Sequence, residues 1–379
     1  MASHGVRRIA TREDKSADAR AKEAKEIKRY QELVEAVQAQ VCLVSFEWFR
    51  WKLKHLCKVR DGDLTPELLQ KTAEILKTNP EYYTIWNHRR RIYVKEFNSI
   101  QHEYSECRLT AEHRDSQILD IIQLDLQFLL PLLMQFPKCY WIWNHRIWLL
   151  QQATSLLPAA KARPIWEEEL RLAGKMLSRD NRNFHGWGYR RMIINSLESE
   201  ALNGKSMATN ELDYTKKMIS TNLSNFSAWH NRTKLILRIL DEKCADDDER
   251  KQMLDEELAL IHKALCDPYD QSLWFYHQNL LCAFDPDQAS ETLAPHLTSA
   301  ERLEYIFEEL EFIKEMLDDV TDCKWIYQAL IECRVLIAKT QHGMSKQDQE
   351  EVKAWLIELR KLDKLRNGRW VELGQKLGI

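Results

Sequence analysis

Tryptophan recurs along this 379-residue chain at a near-constant interval, at positions 86, 143, 187, 229, 274 and 325. The gaps are 57, 44, 42, 45 and 51 residues. Four copies carry arginine three residues on: Trp86-Asn87-His88-Arg89, Trp143-Asn144-His145-Arg146, Trp187-Gly188-Tyr189-Arg190 and Trp229-His230-Asn231-Arg232. Trp274-Phe275-Tyr276-His277 and Trp325-Ile326-Tyr327-Gln328 are weaker echoes. Self-similarity with a period in the forties predicts an all-α array of stacked helical hairpins. Such an array is one elongated unit whose function lies on its surfaces.

Composition agrees. Ten Gly and nine Pro together are scarce for this length, and a chain so poor in turn residues is expected to be mostly helix. A net charge of −3 lacks the basic footprint of a nucleic-acid binder. The nine cysteines form no C-x-x-C pair, so neither a zinc site nor a disulfide framework is indicated. They read as free, mostly buried thiols in a reducing compartment. No uninterrupted apolar run approaches eighteen residues, so no membrane span is expected. The polar, basic N-terminus has no apolar core of a secretory signal, and the expected location is cytoplasmic.

Residues 1–20 read as a flexible basic arm, and residues 21–379 as the helical repeat. Each repeat opens with a leucine-rich helix, as in Leu68-Leu69…Ile75-Leu76 and Ile118-Leu119…Ile122…Leu126. A short loop of Asn, Asp or Pro follows, such as Asn79-Pro80, Phe136-Pro137 or Asp267-Pro268, and supplies the helix stop. The second helix carries Trp-x-x-Arg in its first turns. Residues three apart share a helix face, so the Trp is expected to wedge one hairpin against the next. The Arg is expected to pair with a carboxylate or with loop carbonyls of a neighbour. The segment 41–58, VCLVSFEWFRWKLKHLCK, fits neither a helical nor a strand period. It reads as an in-frame insertion, with an exposed aromatic contact patch as the alternative.

These repeats resemble those of the protein prenyltransferase α subunits, written Pro/Asn-x-x-x-x-x-Trp-x-x-Arg. The resemblance covers residues 59 to about 335 in six copies, with a degenerate seventh around Leu362-Asp363-Lys364-Leu365-Arg366. Within that family the blocks Arg182-Asn183-Phe184-His185-Gly186-Trp187, Asn225-Phe226-Ser227-Ala228-Trp229 and Asp270-Gln271-Ser272-Leu273-Trp274 are similar to the Rab geranylgeranyltransferase (type II) α subunits. Arg182 and Phe184 stand where the farnesyltransferase and type I α subunit has Lys and Tyr. The resemblance implies a right-handed α-α superhelix curling around a β subunit, in the compact form found in fungi. It implies transfer of a geranylgeranyl group from geranylgeranyl diphosphate to C-terminal cysteines of Rab GTPases, presented by a Rab escort protein. The zinc of such enzymes is expected in the β subunit, and no cofactor in this chain. A non-enzymatic scaffold of tetratricopeptide type is the rival reading, disfavoured by the long period and the Trp-x-x-Arg signature.

The family places a lysine five residues before a repeat tryptophan, where it assists the departing diphosphate. Here that is Lys138, with Tyr140 as its substrate-binding neighbour and Arg182 in the equivalent place one repeat later. A positioned cation stabilises the negative charge that develops as the C–O bond breaks. Three other signals are discounted. Asp318-Asp319-Val320-Thr321-Asp322 matches a D-D-x-x-D magnesium motif, but falls where a loop and the N-terminus of the next helix are expected. Ala245-Asp246-Asp247-Asp248-Glu249 reads as a solvated acidic linker. His4, a lone histidine in the arm, is not expected to reach a metal.

Overall fold

The computed structural model describes residues 24–35 and 66–379; the arm at 1–20 and the segment 41–58 lie outside the described residues. All regular elements described are helices. Residues 24–35 form α1. Seven hairpins follow: α2 (Pro66–Thr78) with α3 (Tyr83–Ser105), α4 (Ala111–Gln135) with α5 (Tyr140–Leu156), and α6 (Ala159–Arg179) with α7 (Phe184–Leu197). The remaining four are α8 (Ala208–Thr221) with α9 (Phe226–Glu242), α10 (Asp247–Ala264) with α11 (Gln271–Leu281), α12 (Ser299–Asp319) with α13 (Lys324–Thr340), and α14 (Lys346–Leu362) with α15 (Asn367–Leu377). The described residues up to Ala173, with Asn183–Gly204, make one compact unit; Gly174–Arg182 with Lys205–Ile379 make a second.

The Trp-x-x-Arg signature has two separable jobs. Trp86, Trp143, Trp229 and Trp274 are buried, and each indole N–H donates to the carbonyl six residues upstream: Pro80 (2.8 Å), Pro137 (2.9 Å), Leu223 (2.8 Å) and Pro268 (2.7 Å). The fixed spacing from loop residue to tryptophan is the span of that bond. A buried indole thereby satisfies its one donor and ties the loop to the first turn of the second helix. In the sixth repeat the bond is made two residues later, by the Tyr327 hydroxyl to Thr321 O (2.9 Å). Trp325 occupies the position that Trp141 holds in the second repeat, packing on Phe275 with ring centroids 5.7 Å apart. The sixth repeat is therefore framed on Tyr327 rather than on its tryptophan.

The arginine builds a ladder of buried charge from one hairpin to the next. Arg89 on α3 holds Asp125 on α4, Arg146 on α5 holds Glu169 on α6, and Arg232 on α9 holds Glu257 on α10. Each carboxylate also binds the residue two past the following tryptophan: His145 to Asp125 (2.8 Å), the Tyr189 hydroxyl to Glu169, and the Tyr276 hydroxyl to Glu257. Three successive elements thus meet at one buried acid. In the fifth repeat His277 takes the arginine's place and reaches Glu309 on α12 (2.8 Å). A buried charge tolerates its desolvation only when paired and hydrogen-bonded, so each junction is specified by its neighbours on both sides.

Three expectations need correction. Asp318 and Asp319 do not precede a helix; they close α12, and only Asp322 lies in the loop, where it accepts from the Tyr269 hydroxyl (2.5 Å). The acidic linker at 245–249 is not merely solvated, because Asp246 and Glu249 form a reciprocal capping box on α10, satisfying two backbone donors. The cysteines are not mostly buried: among the seven described, Cys139, Cys323 and Cys333 are buried, while Cys107, Cys244 and Cys266 are exposed. Cys107 and Cys244 follow helix ends with φ of 58° and 51°, left-handed positions that lie on the surface where a helix stops. In addition, α4 is long and apolar enough to cross a membrane by length and composition, which a search for unbroken apolar runs misses. Its Ile118, Ile122, Leu129 and Leu133 are wholly buried, and it packs on α3 and α5, as a core helix of a repeat does.

Candidate functional site

The residue three before each framing position is the first of the second helix, and in four repeats it is an exposed aromatic: Tyr83, Tyr140, Phe184 and Phe226. Two residues earlier lie Glu81, Lys138, Arg182, Ser224, Tyr269 and Asp322. These leading edges vary in charge while the interior behind them repeats. Helix N-termini carry partial positive charge and unpaired N–H groups, so this edge suits anions wherever its side chains are cationic.

In the first unit the edge is centred on α5. Lys138 lies in the exposed turn just before that helix, and Tyr140 is its first residue, half exposed. The intervening Cys139 is buried, its thiol turned to Pro80 O (3.5 Å), and burial pushes that thiol up to about 11. Anchoring Cys139 inward fixes the residues on either side outward. Tyr140 meets Trp141 edge-on at 5.1 Å and His185 at 6.1 Å between ring centroids. Trp141 reaches Tyr83 at 5.5 Å and His185 reaches Phe184 at 5.7 Å. Five aromatic rings from three successive repeats therefore run continuously beside Lys138.

A polar relay backs this edge. The Tyr140 hydroxyl accepts from Asn144 Nδ2 (3.3 Å), and Asn144 Oδ1 accepts from Arg90 Nη2 (2.6 Å). Arg90 Nε donates to His145 Nδ1 (3.2 Å), whose Nε2 faces Asp125 Oδ2 (2.8 Å). An imidazole that accepts at Nδ1 carries its proton at Nε2, so His145 is neutral and donates to Asp125. Burial lowers the His145 pKa in keeping with that form. Burial alone would raise Asp125, but the His145 bond and the Arg89 charge outweigh it and hold the carboxyl at about 2.

Arg182 belongs to the second unit and is engaged there. Its Nε donates to Ser224 O (3.1 Å), and Nη2 bonds the same carbonyl. The Ser224 hydroxyl in turn bonds Asp270. Arg182 thus staples its loop to the next one. Lys138 and Tyr140 share one edge; Arg182 is tied into a loop network of its own. Sequence reasoning missed His185, Trp141 and Arg90, although His185 stands two before Trp187, where Trp141 stands before Trp143. Among the described residues no group of three or more His, Cys, Asp or Glu side chains is placed to hold a metal ion.

The family profile described as Protein prenyltransferase alpha subunit repeat matches residues 66–95, 122–153, 166–197 and 208–239. A Candida albicans protein named Geranylgeranyl transferase type-2 subunit alpha is 34% identical over 337 residues, covering 81% of this chain and 84% of the relative. The Schizosaccharomyces pombe protein of the same name is 31% identical over 316 residues, 82% of this chain and 85% of the relative. Among solved structures, a chain from Candida albicans protein geranylgeranyltransferase-I complexed with GGPP aligns over 83% of this chain and 85% of its own length. Its TM-score is 0.53 at 21% identity, a likeness of fold. The type-2 subunits, by contrast, share sequence along more than four-fifths of their length. The chain belongs to the family of geranylgeranyl transferase type-2 α subunits.

Proposed function

We propose that this chain is the α subunit of a heterodimeric Rab geranylgeranyltransferase, scaffolding a β subunit and lending charge to the prenyl donor's diphosphate. The observation that carries the reading is the sequence shared with two fungal type-2 α subunits along more than four-fifths of their length. It is supported by the leading edge of α5, where an exposed lysine stands two residues before Tyr140 in a run of aromatic rings. The thiolate of a Rab C-terminal cysteine attacks the first carbon of the geranylgeranyl chain, and the diphosphate leaves with the C–O bonding pair. Lys138 stabilises the charge gathering on that leaving group, and Tyr140 shapes the approach beside it. Arg182, already bound to Ser224, secures the neighbouring loop and contributes less. A zinc ion in the β subunit would supply the activated thiolate. A Rab escort protein presents the substrate, and the assembly works in the cytoplasm.

The test is co-expression with a type II β subunit, followed by prenylation of a Rab with escort protein and geranylgeranyl diphosphate. A stable heterodimer that modifies Rab only with the escort protein is expected, and no turnover by the α chain alone. Lys138→Ala should slow transfer on the order of tenfold to a hundredfold with assembly intact, the scale of losing one charged stabilising contact. Turnover without a β subunit, or undiminished transfer by Lys138→Ala, would contradict the respective assignments.

A further inference from the structure

Arg89 and Arg90 are adjacent on α3 yet meet opposite chemistry. Arg89 is buried against Asp125. Arg90 turns toward α5, where its hydrogen-bond partners are neutral: His145 Nδ1 and Asn144 Oδ1. Its guanidinium also lies 5.7 Å from the centroid of the Trp148 ring, a contact that holds a cation without neutralising it. No described carboxylate pairs with it, whereas Arg89, Arg146 and Arg232 each have one. Burial lowers the Arg90 pKa, with nearby Tyr140 opposing, but a guanidinium stays charged throughout the physiological range. A half-buried cation without a counter-charge is costly. Where Arg89, Arg146 and Arg232 each meet an acid, Arg90 is suited to an anion from outside.

The relay says where that anion would sit. Asn144 receives Arg90 and donates to the Tyr140 hydroxyl, so the guanidinium lies one side chain behind the candidate substrate edge. His145, fixed in one tautomer by Asp125, sets the plane of Arg90 through Nε. With Nε and Nη2 so engaged, the donors of Nη1 are left for an anion oxygen.

We propose that Arg90 is a second diphosphate-binding residue of the Lys138–Tyr140 edge, with Asn144, His145 and Asp125 as its positioning residues. This rests on the reading of the chain as a subunit of a geranylgeranyl diphosphate-using enzyme. The test is equilibrium binding of geranylgeranyl diphosphate to the αβ heterodimer, with subunit affinity measured in parallel by sedimentation. Arg90→Gln should raise the Kd for the diphosphate on the order of tenfold or more, the scale of one lost charged hydrogen bond. Binding of the uncharged alcohol, geranylgeraniol, should not change. Arg90→Lys should recover part of the loss, because it restores the charge without the fork. Asn144→Asp should weaken diphosphate binding as Arg90→Gln does, by giving Arg90 an internal counter-ion in a protein that still folds. Unchanged diphosphate affinity in Arg90→Gln overturns the proposal. So does weakened subunit assembly with normal diphosphate affinity, which would assign Arg90 to a carboxylate of the β subunit. Failure of the wild-type heterodimer to bind the diphosphate would instead remove the underlying reading, and the wild-type control separates that case.

Discussion

The second and sixth repeats solve the same packing problem with different residues. Both start their second helix behind a buried cysteine, Cys139 or Cys323, whose thiol reaches the loop proline of the preceding repeat, Pro80 at 3.5 Å and Pro268 at 3.1 Å. Both close the loop with a donor six residues downstream, Trp143 to Pro137 and Tyr327 to Thr321. There the likeness ends. Three residues beyond the framing donor, the second repeat has Arg146 bound to Glu169, and the sixth has fully buried Leu330. Five residues before it, the second repeat exposes Lys138 and the sixth has Asp322, bonded to Tyr269. The hairpin is thus held by a spacing of donors and acceptors that several residue types satisfy. The charge at its leading edge is free to differ, and with it the chemistry each repeat can offer.

The largest contrast lies at the position of Arg146 and Leu330. Glu169→Ala leaves Arg146 buried without its counter-ion and frees the Tyr189 hydroxyl, and should cost about 3–5 kcal/mol of stability. Adding Arg146→Leu, which copies the sixth repeat, removes the orphaned charge and should recover a large part of that loss. Urea denaturation of the two variants decides the matter. A double variant as unstable as the single one would show that the second repeat cannot accept the apolar solution.

Acid should strike both repeats through their first helices. Asp125 on α4 and Glu309 on α12 are each held at about 2. For Glu309, burial pulls the other way and is outweighed by bonds from His262 and His277. A carboxylate whose folded pKa is depressed contributes stability above its unfolded value, near 4, and loses it as pH falls toward 2. Each should account for on the order of 2–3 kcal/mol across that window. Asp125→Asn should lower stability at neutral pH and flatten the slope between pH 4 and pH 2. An unchanged slope would place the acid sensitivity elsewhere in the chain.

The repeat architecture was legible because a buried indole has one donor and needs one fixed acceptor, so its spacing from the loop cannot drift. The arginine's need for a carboxylate was legible for the same reason, but the identity of the acid was not. Asp125, Glu169 and Glu257 sit among apolar residues of the first helices and look like exposed acids on an amphipathic pattern. Their signature is distance: Asp125 and Glu169 each stand twenty residues before the side chain that completes the junction, His145 or Tyr189. The sixth repeat was misframed because Trp325 is the conspicuous residue there, while the hydrogen bond belongs to Tyr327. At the candidate site, Lys138 and Tyr140 were found by resemblance. Arg90 was not, since a second arginine beside Arg89 carries no sign of which one is neutralised. Only the packing of α3 against α5 separates them.

The finest test of the comparison is the loop-closing bond itself. Tyr327→Phe keeps the ring and removes only the hydroxyl that reaches Thr321, so it should cost about 1 kcal/mol, the net worth of one hydrogen bond. Trp143→Phe removes the N–H that reaches Pro137 and also shrinks a buried side chain, leaving a void against Tyr189, whose ring lies 4.9 Å away between centroids. It should cost more than Tyr327→Phe by the cavity term, roughly a further 1–2 kcal/mol. The ordering follows from volume, because the two donors make the same bond to equivalent carbonyls. If Tyr327→Phe left stability unchanged, the shared six-residue bond would not be what frames the sixth repeat. The packing of Trp325 on Phe275 would then have to carry that role.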